Sequence, residues 1–529
     1  MLLAASLTLS PFLMSVAQFW LVIVWALDAF ASRRQADEGF KAKFLRFWHN
    51  KSAVIIVAFF FLHIVGLAYT TDFLYAYRDI KGKLPLLVLP IVMSSMPPLD
   101  RKRANLLLFV YVLSVFVATL FSFSAYQKHD YVDVREISHF ISHIRFCLHI
   151  VFCIAIIGYY VKKGRATGIA PEVPTQASKL KRALNTLLIY ALLCWFAYQI
   201  FIFESLTGYA VFAAVVVVSA IYAFLKWKPG RVWRIAAVAA TLTVLLVSTV
   251  LLMRELRPLM KMETVDFGTL EHKTALGNDY WHDTVYNPVE DGKYVGLYYC
   301  RKELHEAWNQ RSTLPIDSTT LNGENLEATL ARYLTSKDLR KDAQGVAALT
   351  DEDIRNIEQG VANYNNWRHP GLRSRLSVTL FEYNMYRRFN NPNGGSLSQR
   401  IEYTRAAFHI IRRHWLFGVG TGDVALAFRE AYDEIQSPLR EEYRFRAHNQ
   451  YLSIMIAFGA VGLALFLLML FYPSFAVPRQ RTYLYTVFLV IMLLSMFPED
   501  TLETQAGASM FAFFEAFFLF SWPKSGQKD

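Results

Sequence analysis

Residues 104–123 read ANLLLFVYVLSVFVATLFSF, an apolar run of 20 residues without a charged side chain. A helix rises about 1.5 Å per residue, so about 20 such residues cross the hydrocarbon core of a bilayer. Comparable runs recur through the first half of the 529-residue chain and return near its end, and 54% of all residues are hydrophobic. The sequence therefore predicts an all-α, polytopic membrane protein rather than a series of soluble domains.

The apolar runs define eleven predicted membrane spans, and one shorter apolar piece precedes them. That piece, Leu2–Leu9, ends just before Pro11. It is either a short twelfth span that turns tightly at Pro11 or the first part of one long kinked helix. The eleven predicted spans are Phe12–Phe30, Ala53–Thr70, Leu84–Ser95, Ala104–Phe123, Ile144–Val161, Ala183–Phe203, Gly208–Leu225, Ile235–Met253, Tyr451–Tyr472, Leu484–Phe497 and Ala506–Trp522.

The loops between these spans divide by charge. One set of loops carries 23 basic residues and the alternate set carries 5. The first set comprises 31–52, 96–103, 162–182, 226–234, 473–483 and 523–529. The second set comprises 71–83, 124–143, 204–207 and 498–505. Lysine and arginine near span ends stay in the cytoplasm, so the long polar segment Arg254–Ala447 is predicted to be extracytoplasmic. The predicted organisation is an N-terminal bundle (1–253), a loop domain (254–447), C-terminal membrane helices (448–522) and a cytoplasmic tail (523–529).

The net charge of +12 is accounted for by these loops, so no nucleic-acid partner is predicted. Three of the four cysteines, Cys147, Cys153 and Cys194, lie within apolar runs, which argues against a disulfide framework and against a cysteine metal site. The chain has neither a zinc-ligand spacing nor a Gly-x-Ser-x-Gly nucleophile motif. No metal and no cofactor are therefore predicted.

The long polar segment has two parts of opposite charge. Residues 254–366 contain 13 basic and 19 acidic residues, whereas residues 367–447 contain 13 basic and 8 acidic residues, and all 13 are arginine. Arginine binds phosphate oxygens bidentately and keeps its charge, so this second part suits an anionic substrate at the membrane surface. The alternative for any single arginine is structural pairing with a nearby glutamate.

Helix signals make the long segment mostly helical. Thr350–Asp353 has the pattern of a capping box at a helix start. Residues Ser396–Trp415 place apolar side chains on one helix face and run into the glycine-rich stretch Gly418–Asp423. Because that stretch follows a helix and not a strand, it is predicted to be a tight turn with Asp423 as a helix cap, and not a phosphate-binding loop.

The stretch Arg444–Tyr451 is the strongest candidate site. It opens a predicted membrane helix, whose first N–H groups and partial positive charge favour phosphate, and Arg444 and Arg446 add to that charge. Arg444, Arg446 and Asn449 are therefore predicted to bind substrate. His448 has an unperturbed pKa suited to proton transfer near neutral pH. The alternative is that His448 and Asn449 cap the helix while the arginines contact lipid headgroups.

Arg145 is a second candidate, since it lies at the outer end of a predicted span. An ionisable residue at membrane depth is a functional hypothesis by default. The equal alternative is that its long side chain reaches back to the membrane interface.

Taken together, these features resemble the O-antigen ligase family, which also contains O-antigen polymerases and bacterial protein O-oligosaccharyltransferases. The resemblance runs through Arg400-Ile-Glu-Tyr, His414–Asp423, His448-Asn-Gln-Tyr-Leu and Gly459-Ala-Val-Gly, in that order. Residues 333–342 look like a version found in Bacteroidetes members. Many spans with one large, late outer loop also match, so the resemblance covers nearly the whole chain and implies a GT-C-like fold.

The resemblance implies a bacterial inner-membrane enzyme that takes a glycan from undecaprenyl diphosphate on the periplasmic side. It passes the glycan to an acceptor, with lipid A-core as the leading expectation and a growing chain or a protein hydroxyl as the alternatives within the family. The family's essential histidine matches His448, as general base, and one essential arginine matches Arg400. The reaction is expected to be inverting and independent of a metal.

The chain departs from the family at a second arginine. The family has a Ser-Arg-Thr-Gly type motif at the outer start of a middle span, and here residues 205–208 read Ser-Leu-Thr-Gly, with Leu206 in place of the arginine. Our hypothesis is that Arg145 supplies the missing charge. Arg400, helped by Arg446 or Arg145, would then stabilise the charge that builds on the leaving diphosphate. A transporter of lipid-linked glycans and a non-catalytic envelope scaffold are the alternatives from other classes; the first predicts mid-span charges and repeated halves, which the sequence lacks.

Overall fold

A computed structural model describes residues 1–32, 39–128, 134–166, 176–227, 253–476 and 482–523, with a few isolated positions between 228 and 252. The regular structure of this part is almost entirely helical, which confirms the predicted all-α class. One small antiparallel hairpin, Val289–Glu290 with Lys293–Tyr294, is the exception within the described ranges.

Seven of the described helices are long and apolar enough to cross a bilayer, which agrees with a multi-pass membrane protein. They are Pro11–Ala31, Lys51–Tyr69, Arg101–Lys128, His143–Lys162, Leu184–Ile202, Leu206–Phe224 and Gln450–Ala476. All seven coincide with predicted spans. Two further predicted spans correspond to the shorter apolar helices Tyr483–Ser495 and Gln505–Ser521, the second of which ends in a π-helical turn.

The remaining two predicted spans do not correspond to described helices of span length. Leu84–Ser95 corresponds to helix Pro85–Ser95, whose 11 residues extend only about 16 Å and cannot cross a bilayer alone. It follows directly on helix Phe73–Lys83, and both pack against the C-terminal helix Gln505–Ala516. The predicted span Ile235–Met253 lies almost wholly outside the described residues.

The N-terminal piece is a separate helix. Residues Leu2–Leu9 form one helix and Pro11–Ala31 the next, and Ser10 between them is extended (φ −164°). The Ser10 hydroxyl accepts from the backbone N–H of Leu13 and so caps the second helix, which begins with proline. The short helix packs against helix Arg101–Lys128, which favours a turn here over one kinked helix.

The other helices of the membrane part include one that is amphipathic, Phe40–His49. The bounds of the first ten helices are Leu2–Leu9, Pro11–Ala31, Phe40–His49, Lys51–Val65, Phe73–Lys83, Pro85–Ser95, Arg101–Lys128, His143–Ala166, Gln176–Ile202 and Leu206–Trp227. A 3-10 turn, Gly66–Tyr69, extends the fourth. The four cysteines are free thiols.

The long polar segment contains eight helices whose two ends are both described, and residues 254–260 are helical as well. These helices are Arg301–Arg311, Leu326–Ser336, Ala343–Ala347, Asp351–Glu358, Tyr364–Arg368, Leu372–Phe389, Ser396–Arg413 and Val424–Glu434. The first four surround a core of their own that includes Leu304, Trp308 and Tyr333. The last two bury Tyr403 and Phe428 in the same continuous core as the membrane helices. The predicted capping box at Thr350–Asp353 is present.

The glycine-rich turn, residues 418–423, is hydrogen-bonded to helix Gln450–Ala476. Helix Gln450–Ala476 is broken at Gly459 (φ +61°), which frees carbonyls one turn earlier. The backbone N–H groups of Val419 and Gly420 donate to the carbonyls of Ile456 and Ala457, each at 2.9 Å. A Cβ on Gly459 would lie 2.2 Å from the carbonyl carbon of Leu416, so only glycine allows this approach.

The prediction that Asp423 caps its own helix was wrong. Asp423 occupies the N-cap position of helix Val424–Glu434, but its carboxylate makes no cap hydrogen bond there. It accepts instead from the backbone N–H groups of Thr71 and Asp72, at 2.9 and 2.8 Å. The carboxylate thereby ties the glycine turn to the loop that follows helix Lys51–Val65.

Candidate active site

The predicted site stretch lies where helix Gln450–Ala476 begins. The Oδ1 atom of Asn449 accepts from the backbone N–H of Leu452 at 3.0 Å, and its Nδ2 donates to the Phe497 carbonyl at 2.9 Å. Both ends of this amide hold the helix start against the turn that follows helix Tyr483–Ser495. Asn449, which we predicted to bind substrate, is thus engaged as a structural cap.

His448 precedes this cap in an uncommon backbone conformation. Its φ is +47°, a region that residues other than glycine seldom adopt and that costs of order 1–3 kcal/mol. The imidazole packs against Tyr403 and Phe445, with ring centroids 5.5 and 6.3 Å away. Among the described residues none hydrogen-bonds its nitrogens. The imidazole can therefore exchange a proton with a bound molecule.

Two predicted site arginines meet at one carboxylate. Arg145, in the first turn of helix His143–Ala166, lies 3.7 Å from Oε2 of Glu499. Arg400, in helix Ser396–Arg413, lies 3.6 Å from Oε1 of the same residue. Because both separations exceed a close hydrogen bond, the guanidinium groups retain donors that an incoming anion can engage.

Arg446 joins the same acidic turn from the other side. Its guanidinium lies 3.8 Å from Asp500 and 3.3 Å from Glu503, and its Nη1 donates to the Tyr75 hydroxyl at 3.2 Å. Asp500 also accepts from the Ser453 hydroxyl at 2.8 Å. Arg145, Arg400 and Arg446 are therefore gathered around the segment 499–503, at one end of the helix bundle.

A buried ionic network holds the Glu503 carboxylate that Arg446 contacts. Lys83 is 2% exposed, and its Nζ lies 2.7 Å from Glu503 and 2.5 Å from Asp79. The Gln450 amide donates to Glu503 at 2.8 Å, while its oxygen accepts from the backbone N–H of Leu502 at 2.6 Å. Every polar atom of the Glu503 carboxylate is thus bound, and this fixes the face that Arg446 contacts.

The electrostatic surroundings lower the pKa of His448. Burial is the largest cause, because it disfavours the imidazolium. Asp500 opposes this effect, whereas Arg400, Arg446 and Arg145 reinforce it. All three arginines therefore act on the imidazole, which stays neutral near pH 7 and is available as a base.

The pKa of the Glu499 carboxyl is shifted in the other direction, upward. Burial raises its pKa above the usual value, and Asp500 adds to that, although Arg145 and Arg400 oppose it. In Glu503 the balance is reversed: burial would raise its pKa, but Lys83 and Arg446 outweigh burial and hold the pKa well below its usual range.

Arg444, predicted to bind substrate, lies outside this cluster. Its Nη1 donates to Asp433 at 2.6 Å, its Nε donates to the Leu439 carbonyl at 3.1 Å, and the guanidinium lies over Tyr432. These contacts attach the residue to helix Val424–Glu434. The structure therefore brings together His448, Arg400, Arg446 and Arg145 of the predicted set, and places Arg444 and Asn449 in supporting contacts.

Leu206 lies beside the helix that carries Arg145. It begins helix Leu206–Trp227, and a Cβ on Gly208 would lie 3.0 Å from the Cβ of Cys147. Cys147 is two residues beyond Arg145. The position where the family carries an arginine is thus next to the helix turn that presents Arg145.

The site contains residues that the sequence reasoning did not select, notably Glu499, Asp500, Glu503 and Lys83. The acidic turn between two apolar helices was visible in the sequence as Pro498-Glu-Asp. What the sequence lacked was any signal that an acidic turn and distant arginines share one place, because pairing across about 50 or more residues leaves no local pattern.

A possible cation site lies elsewhere, in the long segment. Ligand atoms of His305, Asp317 and Glu327 lie within 4.8 Å of one another. The guanidinium of Arg301, however, already lies 3.1 Å from Glu327 and donates from Nε to His305 at 3.3 Å. This group supplies the positive charge that a metal would bring, so the three residues do not fit an open metal site.

The fold and the site together define a polytopic membrane protein in which arginines and a histidine from different parts of the chain meet near the ends of its membrane helices. Residues 375–467 match the family model described as O-antigen ligase, and that stretch contains Arg400, Arg446 and His448. This match supports membership of the chain in the O-antigen ligase family, a class of membrane glycosyltransferases of the ligase or polymerase type. No curated protein matches the chain.

Proposed function

We propose that this protein transfers a glycan from undecaprenyl diphosphate to the hydroxyl of an acceptor, with lipid A-core as the acceptor. One observation carries the proposal: Arg145, Arg400 and Arg446 gather at the acidic turn and all act on His448. We place this site on the periplasmic face of a bacterial inner membrane, as the distribution of loop charge predicts.

His448 is the general base in this proposal. Its neutral imidazole takes the proton of the acceptor hydroxyl, and the hydroxyl oxygen attacks the anomeric carbon of the sugar. The bond between that carbon and the diphosphate oxygen breaks, and its electron pair leaves with the diphosphate. Direct displacement inverts the configuration of the anomeric carbon.

The arginines stabilise the leaving diphosphate. Arg400 and Arg145 approach Glu499 at 3.6 and 3.7 Å, so a diphosphate with more charge and more oxygens can compete with this one carboxylate for their donors. Arg446 adds a third positive charge. Removing one such donor costs about 10²–10³ in rate in comparable oxyanion sites. The leaving group is already good, so the proposed step uses no metal.

The test is transfer by purified protein from a lipid-linked glycan donor to lipid A-core. We expect His448→Ala to lower kcat at least about 10²-fold, because the acceptor hydroxyl loses its base. The matched control is His409→Ala, since His409 lies on the Arg400 helix but pairs with Glu434 at 2.5 Å, away from the cluster. Full activity of His448→Ala in folded, inserted protein would reject the base role.

The acceptor is tested in a deletion strain by glycan profiling. Loss of long chains from lipid A-core, with polymer accumulating on the carrier, is the result expected for a ligase. Single repeat units on the core would instead identify a polymerase, and loss from proteins alone would identify a protein oligosaccharyltransferase.

A further inference from the structure

The part of the long segment that precedes the family match has a cleft of its own. Residues 254–366 lie wholly before the matched residues 375–467 and have a separate hydrophobic core. The cleft has a volume of about 590 Å³ and is lined by Asp279, Trp281, Asn287, Tyr299, Arg301, Asn325, Glu327 and a few neighbouring residues. It combines aromatic, amide and charged side chains.

One wall of the cleft is an exposed indole in a fixed position. Trp281 is 57% exposed. Its backbone N–H donates to the Tyr299 carbonyl at 2.8 Å, and the Tyr299 N–H donates back at 3.0 Å. The two rings meet edge to face, with centroids 6.4 Å apart at 85°. Because two hydrogen bonds to Tyr299 hold the backbone of Trp281, stacking on the open indole face costs little conformational entropy.

The cleft is also lined by a carboxylate, Glu327, that has two hydrogen-bond donors. Glu327 accepts from the Tyr299 hydroxyl at 2.8 Å and from Arg301 at 3.1 Å, and His305 lies 3.3 Å away. Burial would raise the pKa of Glu327, but these neighbours lower it below its usual value. Arg301 is 67% exposed, so its remaining N–H groups face solvent.

The cleft also offers neutral hydrogen-bonding groups. Asn325 uses Oδ1 to cap its helix, accepting from Ala328 at 2.8 Å, and in the described part of the chain its Nδ2 has no partner. The same holds for the indole N–H of Trp281. An aromatic platform flanked by amide, carboxylate and guanidinium groups matches a pyranose ring, which presents C–H bonds on one face and hydroxyls around its edge.

Charge separates this cleft from the diphosphate site. Residues 254–366 contain 13 basic and 19 acidic residues, so their field disfavours a polyanion and suits a neutral or amino sugar. The arginine cluster, in contrast, suits the diphosphate.

We propose that the Trp281 cleft binds a neutral or amino pyranose unit of the donor glycan, distant in the chain from the diphosphate-bearing sugar. This inference rests on the proposed function, because it assigns a subsite to the glycan that the enzyme transfers. The cleft then raises the affinity for donors with several sugars, whereas the arginine cluster stabilises the leaving diphosphate of every donor.

The experiment measures donor kinetics and glycan binding on full-length protein in detergent. The binding probe is the oligosaccharide released from the lipid-linked donor by mild acid, followed by saturation-transfer NMR. We expect Trp281→Ala to weaken binding and to raise KM for a long donor by about tenfold, with kcat within about twofold. Trp281→Phe keeps an aromatic ring and should restore most of the affinity, which also excludes misfolding as the cause.

The matched control is Tyr286→Ala. Tyr286 is 82% exposed in the same segment but does not line the cleft, so its loss should change neither binding nor KM. A donor that carries a single sugar should show equal KM with wild type and Trp281→Ala.

The outcomes separate this inference from the proposed function. If His448→Ala abolishes transfer while Trp281→Ala binds the oligosaccharide as wild type does, the subsite is refuted and the transfer function stands. If binding depends on Trp281 but wild type transfers nothing, the subsite stands and the transfer function fails. If wild type binds no oligosaccharide and a crosslinker at position 281 captures a protein, the cleft is a protein-docking site and the inference is overturned.

Discussion

Replacing Lys83 by methionine should destabilise the protein strongly. Lys83 is the buried cation between two buried carboxylates, Glu503 at 2.7 Å and Asp79 at 2.5 Å, which are 7% and 9% exposed. Removing one partner of a buried pair typically costs about 3–5 kcal/mol. Glu503 keeps Arg446 and Gln450, so we expect the lower end, about 3 kcal/mol, which is about 150-fold in the folding equilibrium.

The assay is unfolding in detergent micelles by increasing denaturant, with transfer activity measured in parallel. The control is Lys81→Met, because Lys81 is an exposed lysine on the same helix and its loss should change the free energy of unfolding by less than about 0.5 kcal/mol. Adding Asp79→Leu and Glu503→Gln to Lys83→Met should restore most of the stability, since no uncompensated carboxylate remains. A Lys83→Met protein within about 1 kcal/mol of wild type would refute the reasoning.

Two further predictions concern the site itself. Because the pKa of His448 is lowered, kcat/KM should fall only as pH drops through a value below the unperturbed 6.5. Asp500→Asn should move this acid limb to still lower pH, because it removes a group that raises that pKa. An acid limb above pH 7 in a full pH–rate profile would contradict the base role. Arg145→Ala should lower transfer by about 10²-fold, and adding Leu206→Arg should recover part of it, because position 206 begins the helix next to the one that presents Arg145. Equal loss in the single and double variants, at equal membrane expression, would remove support for compensation.

The sequence predicted the membrane architecture well because span-length apolar runs are local signals. Seven predicted spans coincide with helices that can cross a bilayer, and the capping box at Thr350 forms as its pattern indicates. The failures have a common cause. Asp423 had the right residue type for a cap, but Thr71 and Asp72, some 350 positions earlier, offered backbone donors that no local pattern reveals.

The candidate site was likewise only partly predictable from the sequence. Arg400, Arg446 and His448 were selected because of their residue types and order, and Arg145 because it is charged at a span end. Arg145 and Arg400 share Glu499, and Lys83 and Arg446 share Glu503. Both arrangements depend on five separate parts of the chain meeting at one end of the bundle.

By itself, the amino-acid sequence determined that this chain is helical and has several segments long and apolar enough to cross a membrane, and it predicted which side chains are candidates for the chemistry. Burial of apolar length and the periodicity of a helix are properties of neighbouring residues, so they can be read locally. Tertiary structure alone decided which charges neutralise one another and which stay available to a substrate. A buried charge must find its partner in space, and that partner is set by how the helices pack.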